Sequence, residues 1–120
     1  MLGVIIITYN SGDVITSCLD SLAASEEAEL SIVICDNASQ DDTAERVRDW
    51  ARARAISFEE SAGPSNAVPI RQVSLLCDPV NRGFAAGVNC GLRFMMRDRR
   101  YNLFWILNPD CEVTPKAAAA

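Results

Sequence analysis

The chain has 120 residues, of which 49% are hydrophobic and 22% are charged. This is the composition of an ordinary globular domain, and it excludes a disordered, collagen-like or coiled-coil protein. The net charge of -5 argues against a diffuse positive surface, so nucleic-acid binding is not expected. The sequence contains no histidine, which excludes histidine bases and histidine-containing triads.

The N-terminal ten residues lack the basic start and the cleavage site of a signal peptide. Their apolar run is far shorter than the roughly 20 residues of a membrane span. We therefore predict a cytoplasmic protein without a transmembrane segment, in which the cysteines are reduced. None of the cysteines forms a CxxC pair, so no zinc site is predicted. They are Cys18, Cys35, Cys77, Cys90 and Cys111.

Four short apolar runs recur along the chain, at residues 4–7, 30–35, 73–77 and 103–107. Their consecutive β-branched and aliphatic residues are typical of strands buried on both faces of a parallel sheet. Helical patterns separate the runs, so the sequence predicts a doubly wound α/β sheet covered by helices.

Three helices are predicted, in the order of the chain. The first has Ser11 or Asp13 as its N-cap, and the second begins with a capping box formed by Ser39 and Asp42. The third ends in a basic run. Their apolar stripes comprise Val14, Ile15, Cys18, Leu19 and Leu22, then Ala44, Val47 and Ala51, then Ala85, Val88, Leu92, Met95 and Met96.

Three further features lie between and after these elements. Residues 55–58 are predicted to form a short strand, and residues 61–69 an exposed loop. Thr114 and Pro115 form a good N-cap and first helical residue, so a helix is expected to begin there. Because so short a helical stub is unstable alone, we expect the chain to be the front part of a longer protein.

Polar residues follow each of the four apolar runs, at residues 8–11, 36–39, 78–91 and 108–110. In an open parallel sheet, ligands bind beyond the carboxyl ends of the strands, so these four loops predict one ligand site. Turn formation and capping are the alternative explanation for each loop alone. Gly83, Gly87 and Gly91 match neither known phosphate loop, and their spacing by four equally suits close helix packing.

Asp110 follows the last apolar run on a turn stiffened by Pro109. A carboxylate in this position can hold Mg2+ or Mn2+, which usually takes one or two carboxylates together with substrate phosphates and water. Such an ion would allow an acidic protein to accept a diphosphate. The alternative is an aspartate that only accepts hydrogen bonds from turn amides.

Four segments in this order resemble the nucleotide-binding half of the family 2 glycosyltransferases, which have the GT-A fold. Residues 6–10 resemble the family's opening strand and turn, and residues 35–39 are similar to its Val-Asp-Asp-Gly-Ser motif. Residues 81–91 resemble the segment that lines the nucleotide sugar. Residues 108–110 occupy the DxD position, where Asn108 replaces the first carboxylate and Asp110 matches the second.

The resemblance implies a Rossmann-like GT-A fold with a mostly parallel sheet flanked by helices. Residues 1–120 would be its nucleotide-sugar-binding portion, without the acceptor-binding half. It implies that either Asp36 or Asn37 contacts the base or ribose, and that Asp110 binds the metal. The implied nucleotide-sugar-binding residues are Thr8, Tyr9, Asn10, Asp36, Asn37, Asn81, Gly83, Phe84, Gly87, Asn89 and Asn108.

The activity that the resemblance implies is an inverting transfer of a sugar from a nucleoside diphosphate to a hydroxyl of a saccharide or lipid-linked acceptor. Such transfers build polysaccharides or glycolipids. Asn37 and the Asn-Pro-Asp turn look like the rhamnosyltransferase-like branch, which suggests dTDP-rhamnose, with a UDP-sugar as the other donor. The catalytic base is expected beyond Ala120, since Glu112 lies very near the metal turn.

Two alternatives remain open. The chain could be a non-catalytic or degenerate nucleotide-binding α/β module. The basic cluster of Arg93, Arg97, Arg99 and Arg100 is best explained by its place at a helix C-terminus, where cations complement the helix dipole. Peripheral contact with the inner face of a membrane is the second explanation for this cluster.

Overall fold

Strands and helices alternate along the part of the chain that the computed structural model describes, residues 1–26, 29–62 and 72–119. The third strand follows the second helix directly, and the fourth strand comes next. The elements are β1 (Leu2–Thr8), α1 (Ile15–Ala23), β2 (Leu30–Asn37), α2 (Thr43–Ala53), β3 (Phe58–Ala62), β4 (Val73–Asp78), α3 (Phe84–Met95), β5 (Leu103–Leu107) and a 3-10 turn (Ala117–Ala119).

The five strands form one parallel sheet in the order β3-β4-β2-β1-β5. The strand order reverses at β1, which pairs with β2 on one side and with β5 on the other. Leu2 lies opposite both Leu30 and Leu103, so β1, β2 and β5 begin in register. This arrangement confirms the predicted Rossmann-like α/β fold and creates a switch point at the carboxyl end of β1.

The helices cover both faces of the sheet. Val4 and Ile6 of β1 pack with α1 and α2 on one face, while Ile5 and Ile7 pack with α3 on the other. Because successive side chains of a strand point to opposite faces, a strand covered on both sides must be apolar at every position. This explains the uninterrupted apolar run that predicted β1.

Helix α3 lies very close to the sheet because glycines form part of its buried face. A Cβ atom on Gly87 would lie 2.8 Å from Cγ2 of Ile7, and one on Gly91 would lie 2.6 Å from Cγ2 of Ile5. Close helix packing therefore explains Gly87 and Gly91, but not Gly83, which precedes α3 and has open space where its Cβ would be. The predicted apolar stripe of α3 was partly wrong, since Ala85 and Met96 are exposed and the buried residues are Gly87, Gly91, Phe94 and Met95.

The predicted caps were wrong for the first two helices. The N-caps are Val14 and Asp42, and neither side chain makes a capping hydrogen bond. Ser11 contributes only its carbonyl oxygen, which accepts from the amides of Val14 and Ile15. The hydroxyl of Ser39 does not cap α2, because it already donates to Asp36 and accepts from the amide of Asn10 in the loop after β2.

Two other predicted elements are shifted. Ala55 has a left-handed φ of 53°, which ends the turn after α2, so the third strand begins at Phe58 and not at residue 55. Ser61 and Ala62 lie in that strand, whereas the rest of the predicted loop, residues 63–69, lies outside the described residues. After Thr114 and Pro115 the chain forms one 3-10 turn in place of an α-helix. No helix among the described residues is long and apolar enough to cross a membrane.

Candidate functional site

A buried hydrogen-bond network joins the carboxyl ends of β1 and β2. Oδ1 of Asp36 accepts hydrogen bonds from the hydroxyls of Thr8 and Ser39, each at 2.6 Å. Its Oδ2 atom accepts from the amide of Ser39 at 3.1 Å. Asp36 is 5% exposed and Thr8 is fully buried. The carboxylate therefore fixes the loop after β2 against β1, with three of its acceptor positions already used.

The loops after β1 and β2 are tied together further out. The amide of Asn10 donates to Oγ of Ser39 at 2.9 Å, and Oδ1 of Asn10 accepts from the amide of Gln40 at 2.8 Å. Asn10 and Ala38 both have left-handed backbones, with φ values of 48° and 56°. Such conformations cost energy for residues other than glycine and persist where their surroundings hold them.

A second set of hydrogen bonds, which was not predicted from the sequence, connects the loop after β1 to the start of α2. Oδ2 of Asp41 accepts from the amide of Gly12 at 3.0 Å, and the hydroxyl of Thr43 accepts from the amide of Ser11 at 2.8 Å. The hydroxyl of Thr43 also donates to Asp41. This bond, helped by the Gly12 amide, holds the pKa of Asp41 below its usual value. The Asp-x-Thr spacing before α2 was the available signal.

A small cleft, with a cavity volume of about 10 Å³, opens between β2, β4 and the first two turns of α3. Nδ2 of Asn37 donates to the carbonyl of Gly83 at 3.1 Å, which joins β2 to the start of α3. Oδ1 of Asn37 accepts no hydrogen bond from the described residues and so remains free for a ligand. The cleft is lined by Cys35, Asp36, Asn37, Leu76, Asp78, Arg82, Ala86, Gly87 and Cys90.

The loop after β4 contains two turns in which a side-chain oxygen, of Asp78 or of Asn81, accepts from the amide two residues further along. Asp78 accepts from the amide of Val80 and from Nε of Arg82, each at 2.9 Å. Oδ1 of Asn81 accepts from the amide of Gly83 at 2.9 Å, and Gly83 takes a φ of 92° that favours glycine. The exposed guanidinium of Arg82 brings a positive charge to the cleft. Asp78 and Arg82 were not among the predicted site residues, although both lie in the polar loop of residues 78–91.

The remaining predicted residues of the first three loops sit around this edge and not in the cleft. Tyr9 is 49% exposed and Phe84 is 56% exposed, so two aromatic rings stand free on the loop after β1 and at the start of α3. Asn89 is also exposed, on the second turn of α3. The structure thus leaves these three side chains accessible, and their role in binding stays a prediction.

The turn after β5 lies against α1. The thiol of Cys18 donates to the carbonyl of Asn108 at 4.0 Å, and the amide of Val113 donates to Oγ of Ser21 at 3.1 Å. Burial raises the pKa of Cys18 to about 12, with further contributions from Cys111, Asp110 and Glu112. The two acidic side chains therefore create negative potential beside the switch point.

Asp110 is the candidate metal ligand in this turn. It is exposed, and its carboxylate accepts no hydrogen bond from the described residues, which removes the alternative of an aspartate occupied by turn amides. Across the described residues, no three His, Cys, Asp or Glu side chains form a ready metal site. One free carboxylate fits an ion such as Mg2+ that takes most of its ligands from phosphates and water.

The bond between Asn37 and Gly83 yields a direct prediction. Replacing Asn37 with aspartate removes the donor and places a carboxylate oxygen beside the Gly83 carbonyl, so we expect a loss of about 2 kcal/mol in the free energy of unfolding. Urea denaturation of the two proteins at pH 8 measures the difference. Asn89→Asp makes the same change at an exposed position of α3 and should cost about 0.5 kcal/mol or less. Equal losses in both variants would mean that the bond contributes nothing.

A parallel sheet covered by helices, with polar loops gathered at its carboxyl edge, is the architecture of the Rossmann-like α/β class, in which ligands bind at that edge. Residues 3–119 match the family model for glycosyl transferase family 2. The chain therefore belongs to the family 2 glycosyltransferases, as the sequence motifs suggested. Among curated proteins, none matches this chain.

Solved structures support the same fold. TarS from S. aureus, solved as residues 1–349 in complex with UDP, superimposes with a TM-score of 0.73 at 21% identity, over 98% of this chain and 30% of that one. The mannosyltransferase PcManGT from Pyrobaculum calidifontis, solved with GDP-Man and Mn2+, gives a TM-score of 0.68 at 25% identity, over 92% of this chain and 28% of that one. The present chain thus spans less than a third of each of these structures.

Proposed function

We propose that this chain is the donor-binding part of a glycosyltransferase that moves a sugar from a nucleoside diphosphate to an acceptor hydroxyl. The observation that carries the proposal is the hydrogen-bonded edge of the sheet. There Asp36, at the end of β2, bonds to Thr8 at the end of β1. Asn37, the next residue, bonds to Gly83 in the loop after β4. These bonds leave a free amide oxygen, an exposed guanidinium and a free carboxylate around one edge. Family membership makes a nucleotide sugar the ligand that such a set of groups would bind.

Asp36 and Asn37, in the segment similar to the family's Val-Asp-Asp-Gly-Ser motif, would have different roles. Asp36 has its acceptor positions occupied by Thr8 and Ser39, so we assign it to holding the loop in shape. Asn37 keeps Oδ1 free at the cleft, and we assign that atom to accepting a hydrogen bond from the base or ribose. Tyr9 and Phe84, as exposed aromatic rings, are positioned to cover a flat base.

Asp110 is the residue that would hold a divalent cation, either Mg2+ or Mn2+. The ion would offset the charge that builds up on the departing diphosphate. The mannosyltransferase from Pyrobaculum calidifontis, which was solved with Mn2+, supports this assignment by similarity. We assign no catalytic base among the described residues, because Glu112 shares the metal turn.

The donor would be a UDP-sugar or dTDP-rhamnose. UDP is the nucleotide bound to TarS, whereas the rhamnosyltransferase-like branch rests on the Asn-Pro-Asp turn and on Asn37 alone. A dTDP donor and a UDP donor both present a pyrimidine imide N–H, which suits a free amide acceptor such as Oδ1 of Asn37. We propose inversion at the transferred sugar, a saccharide or lipid-linked acceptor, and a location in the cytoplasm or at the inner membrane face.

Binding of UDP in the presence and absence of Mn2+ tests this function, with Asp110→Asn as the informative variant. Because Asp110 would join the ion to the protein, we expect its loss to weaken Mn2+-dependent UDP binding by about 10-fold or more. Isothermal titration calorimetry measures the affinity. Glu112→Gln removes the same charge two residues away on the exposed turn and should change the affinity by about twofold at most.

The outcomes separate the two parts of the proposal. Failure of UDP, dTDP and GDP to bind at all would contradict nucleotide binding. A UDP affinity that changes neither with Mn2+ nor with Asp110→Asn would support the nucleotide site and contradict the metal site.

A further inference from the structure

Two thiols meet at the wall of the cleft. Cys35 lies on β2 and is 4% exposed, whereas Cys90 lies on α3 and is half-buried. Both residues line the same small cleft at the junction between sheet and helix, and the interaction between their thiols shifts the pKa of each. They come close because α3 packs tightly here: a Cβ atom on the adjacent Gly91 would lie 3.2 Å from Sγ of Cys35.

The two thiols differ in character. The interaction with the Cys35 thiol, together with the charge of Arg93, lowers the pKa of Cys90 to about 7, against burial and the charge of Asp78. The same interaction raises the pKa of Cys35, and burial adds to the effect. Cys90 is thus the accessible nucleophile at neutral pH, and Cys35 is a protected thiol behind it. Such a pair suits thiol-disulfide exchange.

We propose that Cys35 and Cys90 form a modification site for low-molecular-weight disulfides, which convert the pair into an intramolecular disulfide that ties β2 to α3 beside the cleft. In the first step the Cys90 thiolate attacks one sulfur of the reagent, and one reagent thiolate leaves. In the second step Cys35 attacks the Cys90 sulfur of this mixed disulfide, and the second reagent thiolate leaves. The two protein thiols are oxidised, and the reagent disulfide is reduced to two thiols, which take up the two protons.

Cys77 provides a matched comparison within the same sheet. It is half-buried like Cys90, but burial raises its pKa to about 11, with the charge of Glu60 adding to the effect. Its thiol contacts that glutamate at 3.8 Å and has no sulfur partner. Cys77 should therefore react slowly and form no disulfide within the protein.

The test is incubation of the reduced chain with oxidised glutathione, followed by intact-mass and peptide-mass analysis. We expect a loss of about 2 Da from two hydrogens and a peptide linkage between residues 35 and 90. Cys77→Ser should react like the unchanged chain. Cys35→Ser should stop with one glutathione on Cys90, and Cys90→Ser should lower the rate of reaction about 10-fold or more.

Three results would overturn the proposal: a stable glutathione adduct on Cys90 in the unchanged chain, a linkage to any other cysteine, or a reaction of Cys77 as fast as that of Cys90. Circular dichroism checks that Cys35→Ser and Cys90→Ser are folded, so that either of these two variants can test the proposal if the other does not fold. The reaction needs no nucleotide, so its failure would leave the proposed function untouched. Equally, absence of UDP binding would leave the thiol reaction untouched.

Discussion

Replacing Asp36 with alanine is expected to lower the free energy of unfolding by about 3 kcal/mol and to abolish nucleotide binding. The carboxylate accepts three hydrogen bonds from Thr8 and Ser39. Its removal leaves the buried Thr8 hydroxyl without this acceptor and releases the loop after β2, which begins directly after Asn37. The measurement combines urea denaturation with a UDP titration.

Asp42→Ala is the matched control for this variant. Asp42 lies six residues further along, and its carboxylate pairs with Arg46 on the exposed surface of α2 at 2.8 Å. Exposed pairs of this kind contribute little, so we expect a loss of about 0.5 kcal/mol and unchanged nucleotide binding. Thr8→Val removes one hydroxyl and keeps the shape of the side chain. Its loss in the free energy of unfolding should lie between the losses of Asp36→Ala and Asp42→Ala. A small loss in Asp36→Ala would mean that the network does not hold the loop.

Replacing Gly91 with valine is expected to cost about 3 kcal/mol of stability, because the new side chain would push α3 away from β1 and β2. A Cβ atom at this position would already lie 2.6 Å from Ile5 and 3.2 Å from Sγ of Cys35. Glycine and valine differ by only a few tenths of a kcal/mol in helix propensity, so the loss would report packing. Urea denaturation measures it.

Ala85→Val is the control for Gly91→Val. Residue 85 lies on the exposed side of α3, so valine there meets no sheet side chain. The cost should be about 0.6 kcal/mol, which is the difference in helix propensity. If the two variants lost equal stability, α3 would not depend on a glycine contact with the sheet.

The sequence predicted most of the sheet well because three of its strands, β1, β2 and β4, are largely buried on both faces. Residues 4–7 have to be apolar at every position when helices cover both sides, and no helix pattern imitates so short a run. The third strand was placed too early, because it lies at the edge of the sheet and carries Glu59 and Glu60, which gave no apolar signal. The other edge strand, β5, was found because its five residues are all apolar, but the expectation that it is buried on both faces was wrong, since each of its residues is exposed or half-buried.

The candidate site was predictable in outline and not in its contacts. Residues after strand ends can be found from the sequence, since parallel strands bring these loops to one edge. The sequence could not tell that Ser39 serves Asp36 and not α2, because both uses of a serine hydroxyl are local and similar in energy. It also could not pair Cys35 with Cys90, which meet only through the tertiary packing of α3.

The central claim, that the carboxyl edge of the sheet binds a nucleoside diphosphate, is tested most directly by an amide NMR titration with UDP and Mg2+. We expect shifts at Asn10, Asn37, Gly83 and Asp110, in the loops that follow β1, β2, β4 and β5. Amides at the opposite edge, such as those of Glu29, Gln72 and Asn102, should not move. Shifts confined to that opposite edge, or no shifts at millimolar UDP, would contradict the account.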